Sequence, residues 1–412
     1  MRDVLAPQVL TGLAGFVILW LAIEALRHRA ALRRIPVRIH VNGTRGKSSV
    51  TRLLAAGLRA GGHRTVAKTT GTLARVLLPA GRELPVYRPL GANVREQIRI
   101  VRFAARAEAD VLVVECMALQ PILQWLSERM FVRATHGVIT NARPDHLDVM
   151  GPGGDDVARA LAGMMPVGGL CVTAEEARRD VLALAAKDRG CRLVALRADD
   201  VAQVSDAVLA GFGHIEHREN VAVALALCEA LDVPRQTALE GMWAATPDPG
   251  ALTFDQVDFF GRRIVFANAF AANDPESSER IWNLCLARFP SFAPIALFNC
   301  RPDRADRSRQ LGQALPRWHE PQHVIAAGLG TGFFARAAVA AGYDASALTR
   351  VERTDPREVF ERVIEHCGDA TLVVGLGNIG GLGLELVRLF RNRATRPRRP
   401  VVARAPQAGV KA

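Results

Sequence analysis

Lysine is nearly absent from this 412-residue chain: of 53 basic residues only Lys47, Lys68, Lys187 and Lys411 are lysines, and arginine supplies the rest. Tyrosine occurs twice and the basic clusters sit at the two ends, Arg27 to Arg38 and Arg388 to Lys411. No stacking platform interleaved with charge is therefore offered, and a nucleic-acid partner is set aside. The seven cysteines contain no C-x-x-C pair, which excludes the usual zinc and dithiol motifs and fits reduced cytosolic thiols. No A-x-A site closes the apolar N-terminal run, and its only leading cation is Arg2 beside Asp3, a poor match to a cleaved signal peptide.

What is present is a chain 49% hydrophobic with a net charge of +12, long enough for two domains behind an N-terminal appendage. That balance suits anionic lipid or an anionic product. Val4 to Ile23 is about twenty mostly apolar residues, followed by Arg27, Arg29, Arg33 and Arg34. The flanking arginines place the N-terminus outside and the remaining chain in the cytoplasm. The alternative is an amphipathic helix packed on the globular body or lying in the membrane interface. Four segments follow: an anchor helix with its basic flank (1–34), a central α/β domain (35–246), a smaller α/β domain (250–390) and a basic mobile tail (391–412). The break falls at Thr246-Pro247-Asp248-Pro249-Gly250. Beyond it, strands are expected at Ile264 to Ala267, Ile295 to Asn299, Val324 to Ala327 and Thr371 to Gly375.

Asn42-Gly43-Thr44-Arg45-Gly46-Lys47-Ser48-Ser49 lies between a β-branched strand pattern, Val37 to Val41, and a helical one carrying Val50, Leu53, Leu54 and Leu58. It reads as a phosphate-binding loop for ATP in the short G-T-x-G-K-[ST] form. Its glycines let backbone N–H groups turn toward an anion, Lys47 reaches the outer phosphates and Ser48 ligates Mg²⁺. A purely structural Gly turn is the bland alternative. In a chain that defaults to arginine, a lysine at this position favours the phosphate cradle.

Asp110 to Glu115 is a buried strand ending in a carboxylate, where an open parallel sheet faces its ligand crevice. Glu115 is a candidate Mg²⁺ ligand, or else a helix cap. A third strand, Gly137 to Thr140, leads into Asn141-Ala142-Arg143-Pro144-Asp145-His146-Leu147-Asp148. These segments, with Thr70-Gly71-Thr72, resemble in order and spacing the central ATPase domain of the Mur ligase superfamily. On that resemblance Ser48 and Glu115 bind one metal and His146, with Glu115, the other. Asn220, in Glu216-His217-Arg218-Glu219-Asn220, matches an adenine-contacting position. Ala272-Asn273-Asp274-Pro275-Glu276-Ser277 and Asp303-Arg304-Ala305-Asp306 resemble C-terminal-domain elements of these ligases, with Arg304 directed to the ATP phosphates and Asp306 counted beside it among the nucleotide-binding residues. The fold implied is a P-loop-type parallel-sheet ATPase domain with a smaller α/β domain behind a transmembrane helix.

Three departures narrow the family. The apolar segment leads almost directly into the phosphate loop with no UDP-binding domain between. The residues Asp156 to Gly163 hold no lysine where many superfamily members carry a carbamylated one, so a second metal would be held differently or more weakly. Finally, Asn141 to Pro152, Ala267 to Pro275 and Gly375-Leu376-Gly377-Asn378-Ile379-Gly380-Gly381 look like the catalytic subunits of membrane-bound poly-γ-glutamate synthases, the capsule-forming branch. This resemblance implies an ADP-forming amide ligase that uses ATP with Mg²⁺, or Mn²⁺ in its place, to join glutamate to a growing poly-γ-glutamate chain through an acyl phosphate. It also implies other membrane subunits of the synthase, membrane lipid and further copies of the chain as partners. The base for the incoming amine is left open among Asp274, His217 and solvent.

Gly375 to Gly380 also satisfies G-x-G-x-x-G, but one helix, Leu382 to Phe390, runs from it into the tail with no acid-ended second strand, which argues against a dinucleotide site. Two rivals remain: a soluble folylpolyglutamate-type ligase, and a P-loop ATPase coupled to export. Arg95, Arg99, Arg102 and Arg106 fall near helical spacing and read as a polymer-binding stripe or a solvated basic face.

Overall fold

The computed structural model describes residues 2–71, 73–88, 91–319 and 321–395. Thr72 of the Thr70-Gly71-Thr72 motif, and residues 396–412 of the basic tail with Lys411, lie outside these. The chain divides into two compact units, Met1–Asp248 and Pro249–Ala412.

The first unit opens with helix α1 (Arg2–Arg33). From Val9 to Arg33 it is long and apolar enough to cross a membrane. Leu10, Phe16, Ile18 and Leu26 are each more than 60% exposed, whereas Ala31, Leu32 and Ile35 at its foot are buried. From Val9 onward only the foot of α1 is packed on the globular body. There His28 Nε2 meets the Phe131 carbonyl at 2.9 Å, and Glu24 pairs with Arg95 and Arg102, each at 3.5 Å. Two of the four arginines in the stripe are thus anchored to α1, leaving Arg99 and Arg106 exposed.

Eight strands follow: β1 (Val37–Asn42), β2 (Thr65–Lys68), β3 (Arg75–Leu77), β4 (Glu83–Pro85), β5 (Val111–Glu115), β6 (His136–Ile139), β7 (Leu170–Thr173) and β8 (Arg192–Ala195). They form one sheet in the order β4-β3-β2-β5-β1-β6-β7-β8, parallel from β2 to β8 with an antiparallel edge at β3 and β4. Near-continuous apolar runs suit strands covered on both faces, and all five residues of β5 are buried. Helix α2 (Lys47–Ala60) covers one face together with the helices Arg218–Glu229 and Arg235–Trp243. Leu54 and Leu58 of α2 are fully buried, each worth about 2 kcal/mol relative to exposure. Helix α3 (Glu96–Arg106) and the foot of α1 cover part of the other face. The chain leaves β1 toward β2, inserts β5 between them, and then crosses to β6. Ligand crevices form at such switch points, outside the carboxyl ends of the strands.

The second unit holds a six-stranded sheet of β9 (Thr253–Phe259), β10 (Arg262–Asn268), β11 (Ala293–Asn299), β12 (His323–Ala327), β13 (Leu348–Val351) and β14 (Ala370–Leu376). Their order is β13-β12-β11-β14-β10-β9, parallel except for β9. The four expected strands are β10, β11, β12 and β14, and the two unforeseen ones are the edges. The helix Leu382–Arg393 packs on the sheet, with Phe390 stacked on Phe266 at 4.0 Å between ring centroids.

Candidate active site

The turn between β1 and α2 depends on Gly43 and Gly46, whose φ values are +137° and +83°. A Cβ at Gly43 would collide with Thr140 Oγ1, and one at Gly46 with the Asn220 side-chain amide. The Thr140 and Asn220 side chains thus pack directly on the loop backbone at these two glycines. Residues leaving β6 staple it. Thr44 Oγ1 and the Arg45 N–H both donate to Asn141 Oδ1 (2.6 and 3.1 Å), while Thr140 Oγ1 and Asn141 Nδ2 donate to the Arg45 carbonyl (2.6 and 3.1 Å). Asn42, buried at the end of β1, donates to Gln124 Oε1 at 2.7 Å. Helix α2 then starts with no side-chain cap and no acidic residue in its first turn, which holds Lys47, Ser48 and Ser49. Its leading N–H groups and positive dipole end suit an anion. Lys47 Nζ folds back over the loop and donates to the Gly43 carbonyl at 2.5 Å and the Thr44 carbonyl at 3.5 Å.

Glu115 ends β5 beside this turn and is 2% exposed. Ser48 Oγ donates to its Oε2 at 2.9 Å, the Thr70 N–H to the same oxygen at 2.7 Å, and Thr70 Oγ1 to Oε1 at 2.5 Å. The hydroxyl and carboxylate expected to share one metal are therefore in contact, with Thr70 fixing the carboxylate. Such a donor set of hard oxygens suits Mg²⁺ or Mn²⁺.

A buried ion cluster holds the chain on either side of Thr70, at Lys68 and, through Arg88, at the Gly71 carbonyl. Lys68 Nζ lies 2.5 Å from Glu96 Oε1, with the two side chains 0% and 2% exposed, and Arg88 forks onto Glu96 with two bonds of 2.8 Å. Burial would raise the Glu96 pKa, but Arg88 and Lys68 more than offset this and hold it below the usual carboxylate range. Arg88 also donates to the Gly71 carbonyl at 3.2 Å. A second buried pair lies beneath β1, where His40 Nδ1 is 2.8 Å from Glu128 Oε2. Burial would lower the His40 pKa, but the Cys116 thiol and the Glu128 carboxylate raise it to about 9. Sequence reading missed both clusters. Lysine scarcity marked Lys68, but nothing local pairs it with Glu96 or His40 with Glu128.

Asn220 sits at the first turn of its helix against Gly46, with Nδ2 donating to Glu216 Oε1 at 2.9 Å. Glu216 also accepts from the His217 N–H at 2.9 Å. Burial would raise its pKa, yet hydrogen bonds from His214, Asn220 and the His217 backbone bring it below the ordinary value. The structure thus places Asn220 against the phosphate loop. His146 takes a left-handed φ of +48°. Its side chain is 47% exposed, and Asp145 is 3.9 Å away. Asp145 also lies 3.4 Å from Arg45. Asp148 is exposed. Among the described residues no three His, Cys, Asp or Glu side chains are grouped to hold an ion.

In the second unit, Arg304 lies after the carboxyl end of β11 and is 59% exposed, with Asp303 4.0 Å away. Asp303 is itself forked by Arg301 at 2.8 and 2.9 Å. Asp306 pairs with Arg309 at 2.5 Å. Asp274 caps the helix Pro275–Arg288 by accepting from the Ser277 N–H at 2.8 Å. Asn299 donates to the carbonyls of Asn378 (2.6 Å) and Gly380 (3.1 Å), which fixes the Gly377 to Gly381 turn at the carboxyl end of β11.

The Mur ligase middle domain matches residues 41–200, and the C-terminal domain of poly-γ-glutamate synthase CapB matches residues 254–393. The capsule biosynthesis protein CapB of Bacillus anthracis is 36% identical over 378 residues, covering 91% of this chain and 81% of that protein. PGA synthase CapB of Bacillus subtilis (strain 168) is 33% identical over 379 residues, covering 91% and 95%. The chain belongs to the CapB family of poly-γ-glutamate synthases. As a CapB-family chain carrying the Mur ligase domain, it is an ATP-dependent amide ligase. Its fold is shared with the bifunctional folylpolyglutamate synthase/dihydrofolate synthase of Yersinia pestis, solved with AMPPNP and a Mn ion. That structure is 17% identical with a TM-score of 0.62 over 89% of this CapB-family chain and 92% of the other.

Proposed function

We propose that this chain polymerises glutamate through γ-carboxylate linkages. A carboxylate of the growing chain takes the γ-phosphoryl group of ATP, and the incoming amine then attacks the acyl phosphate, releasing phosphate beside ADP. The contact of Ser48 with Glu115 under a loop carrying Lys47, in a chain of this family, carries the reading. ATP enters as substrate along Asn42 to Ser49. A divalent ion held by Ser48 and Glu115 would neutralise charge on the transferring group. The side chains then mostly position and stabilise. Lys47 exchanges the carbonyls of Gly43 and Thr44 for phosphate oxygens. Arg304, exposed and next to Asp306, brings a second cation. His146 is proposed to reach a second ion with Glu115, and Asn220 to meet the nucleotide. The amine gives its proton to Asp274, His217 or solvent.

We further propose that α1 crosses the membrane once, with both units in the cytoplasm, and that the chain works beside other membrane subunits and copies of itself. The exposed apolar length from Val9 to Leu26, which a soluble ligase has no use for, favours this over a folylpolyglutamate-type enzyme. Membranes carrying the protein, given ATP, Mg²⁺ and radiolabelled glutamate, should form ADP together with acid-stable γ-linked polymer. A Lys47→Ala variant should form neither. ADP without any amide product, with partner subunits present, would overturn the ligase reading in favour of an export ATPase.

A further inference from the structure

The foot of α1 closes a cavity of about 670 Å³ at the end of the first sheet opposite the phosphate loop. Its walls come from the beginnings of strands whose far ends carry the site: Arg38 opens β1, Arg133 precedes β6, Gly168 and Gly169 precede β7, and Arg189 precedes β8. Arg29 and Arg33 of α1 and Arg129 complete a lining of six arginines against one carboxylate, Glu128. That carboxylate is already committed: Oε2 pairs with His40 at 2.8 Å and Oε1 accepts from the Ala134 N–H at 2.7 Å. Among the described residues none of the six guanidinium groups forms an ion pair. Two are instead oriented by backbone carbonyls. Arg38 donates to Arg133 (2.9 Å), Leu32 (3.2 Å) and Ile35 (2.5 Å), and Arg189 to Met165 (2.9 Å). Glu128 is the one carboxylate in this lining and is shared with His40, so the lining is net positive and suited to an anionic ligand.

The position of Arg29 and Arg33 along α1 bears on the kind of ligand. Leu26 is the last large exposed apolar residue of α1, at 63%, and Arg29 and Arg33 follow it by three and seven positions. At about 1.5 Å per residue the arginines lie roughly 5–10 Å past the apolar boundary, which is the thickness of a headgroup layer. We propose that this cavity seats the headgroup of an anionic phospholipid from the cytoplasmic leaflet, its phosphodiester held by forked arginines. A polyglutamate chain is less favoured, because the cavity opens at the strand ends away from the phosphate loop. The inference rests on the reading that α1 enters the bilayer.

The test uses the full-length protein. Flotation with neutral phosphatidylcholine vesicles reports the anchor alone. In phosphatidylcholine nanodiscs, titration with short-chain phosphatidylglycerol reports the cavity. The variant Arg33→Gln/Arg129→Gln/Arg133→Gln should float as wild type does and bind ATP unchanged. It should bind phosphatidylglycerol more weakly by about fivefold per arginine, or roughly 100-fold in all. The charge-matched control Arg27→Gln/Arg34→Gln/Arg99→Gln, outside the cavity, should bind it nearly as wild type. Equal affinity in the cavity variant, or an equal loss in the control, would overturn the proposal. So would displacement of the lipid by short poly-γ-glutamate that binds the same arginines more tightly. A wild-type chain that does not float at all would remove the anchor reading, and this proposal with it.

Discussion

Glu96→Gln tests how firmly the site is supported from beneath. In the folded protein Glu96 is 2% exposed and lies 2.5 Å from Lys68, whose side chain has no solvent contact. Burial alone pulls the Lys68 pKa down, and Glu96 is the first group opposing it. Replacing the carboxylate by an amide leaves the buried ammonium without its nearest counter-ion, with only the more weakly acting Glu115 opposing burial, which costs about 3–5 kcal/mol. Arg88 contributes less to the loss, because its side chain is 17% exposed and can turn to water. Urea unfolding of the solubilised protein, followed by tryptophan fluorescence, should show Glu96→Gln destabilised by that amount. Lys68→Met/Glu96→Gln, which removes the stranded charge, should recover to within about 2 kcal/mol of wild type. A single variant within about 1 kcal/mol of wild type, or a double variant less stable than the single, would refute the argument. Because Lys68 lies two residues before Thr70, the single variant should also weaken nucleotide binding.

Other expectations follow from the same contacts. Thr70→Val removes the hydroxyl that fixes Glu115 Oε1 and should raise the Mg²⁺ concentration for half-maximal activity about tenfold; an unchanged requirement would contradict the role given to Thr70. Glu115→Gln should lower glutamate-dependent ADP formation by roughly 100-fold or more while leaving the unfolding midpoint near wild type, and retained activity would remove Glu115 from the metal site. His40, at about 9 in the folded protein against 6.5 unfolded, contributes stability that is full below about pH 6.5 and lost as pH rises through 9. The loss is on the order of 3 kcal/mol, and it should vanish in His40→Gln. A wild-type urea midpoint equal at pH 6.5 and 9.5 would refute that reading.

Much of the fold was legible because its signals are local. Strands β1, β5, β6, β10, β11, β12 and β14 announce themselves as short apolar runs, since each is covered on both faces. The edge strands do not: β9 carries Asp255, Gln256 and Asp258 on a half-solvated surface, and β13 is four residues long with Arg350 in it. The phosphate loop was readable because its chemistry and its turn lie in one stretch, and Glu115 because a strand end fixes where it points. Glu96 was not, being 28 positions from Lys68 and paired through the fold. Arg95 and Arg102 read as a charged stripe until α1, far away in sequence, brings Glu24 against them. The grouping of six arginines around one cavity is likewise a product of topology, assembled from the starts of separate strands and the foot of a helix.

The central claim is that a glutamate carboxylate is activated by the γ-phosphoryl group of ATP. Glutamate labelled with ¹⁸O in its carboxyl groups should, during polymerisation, transfer one ¹⁸O to the released phosphate for each bond formed, with ADP as the only nucleotide product. Label appearing in AMP, or phosphate released without ¹⁸O while polymer accumulates, would contradict the acyl-phosphate route.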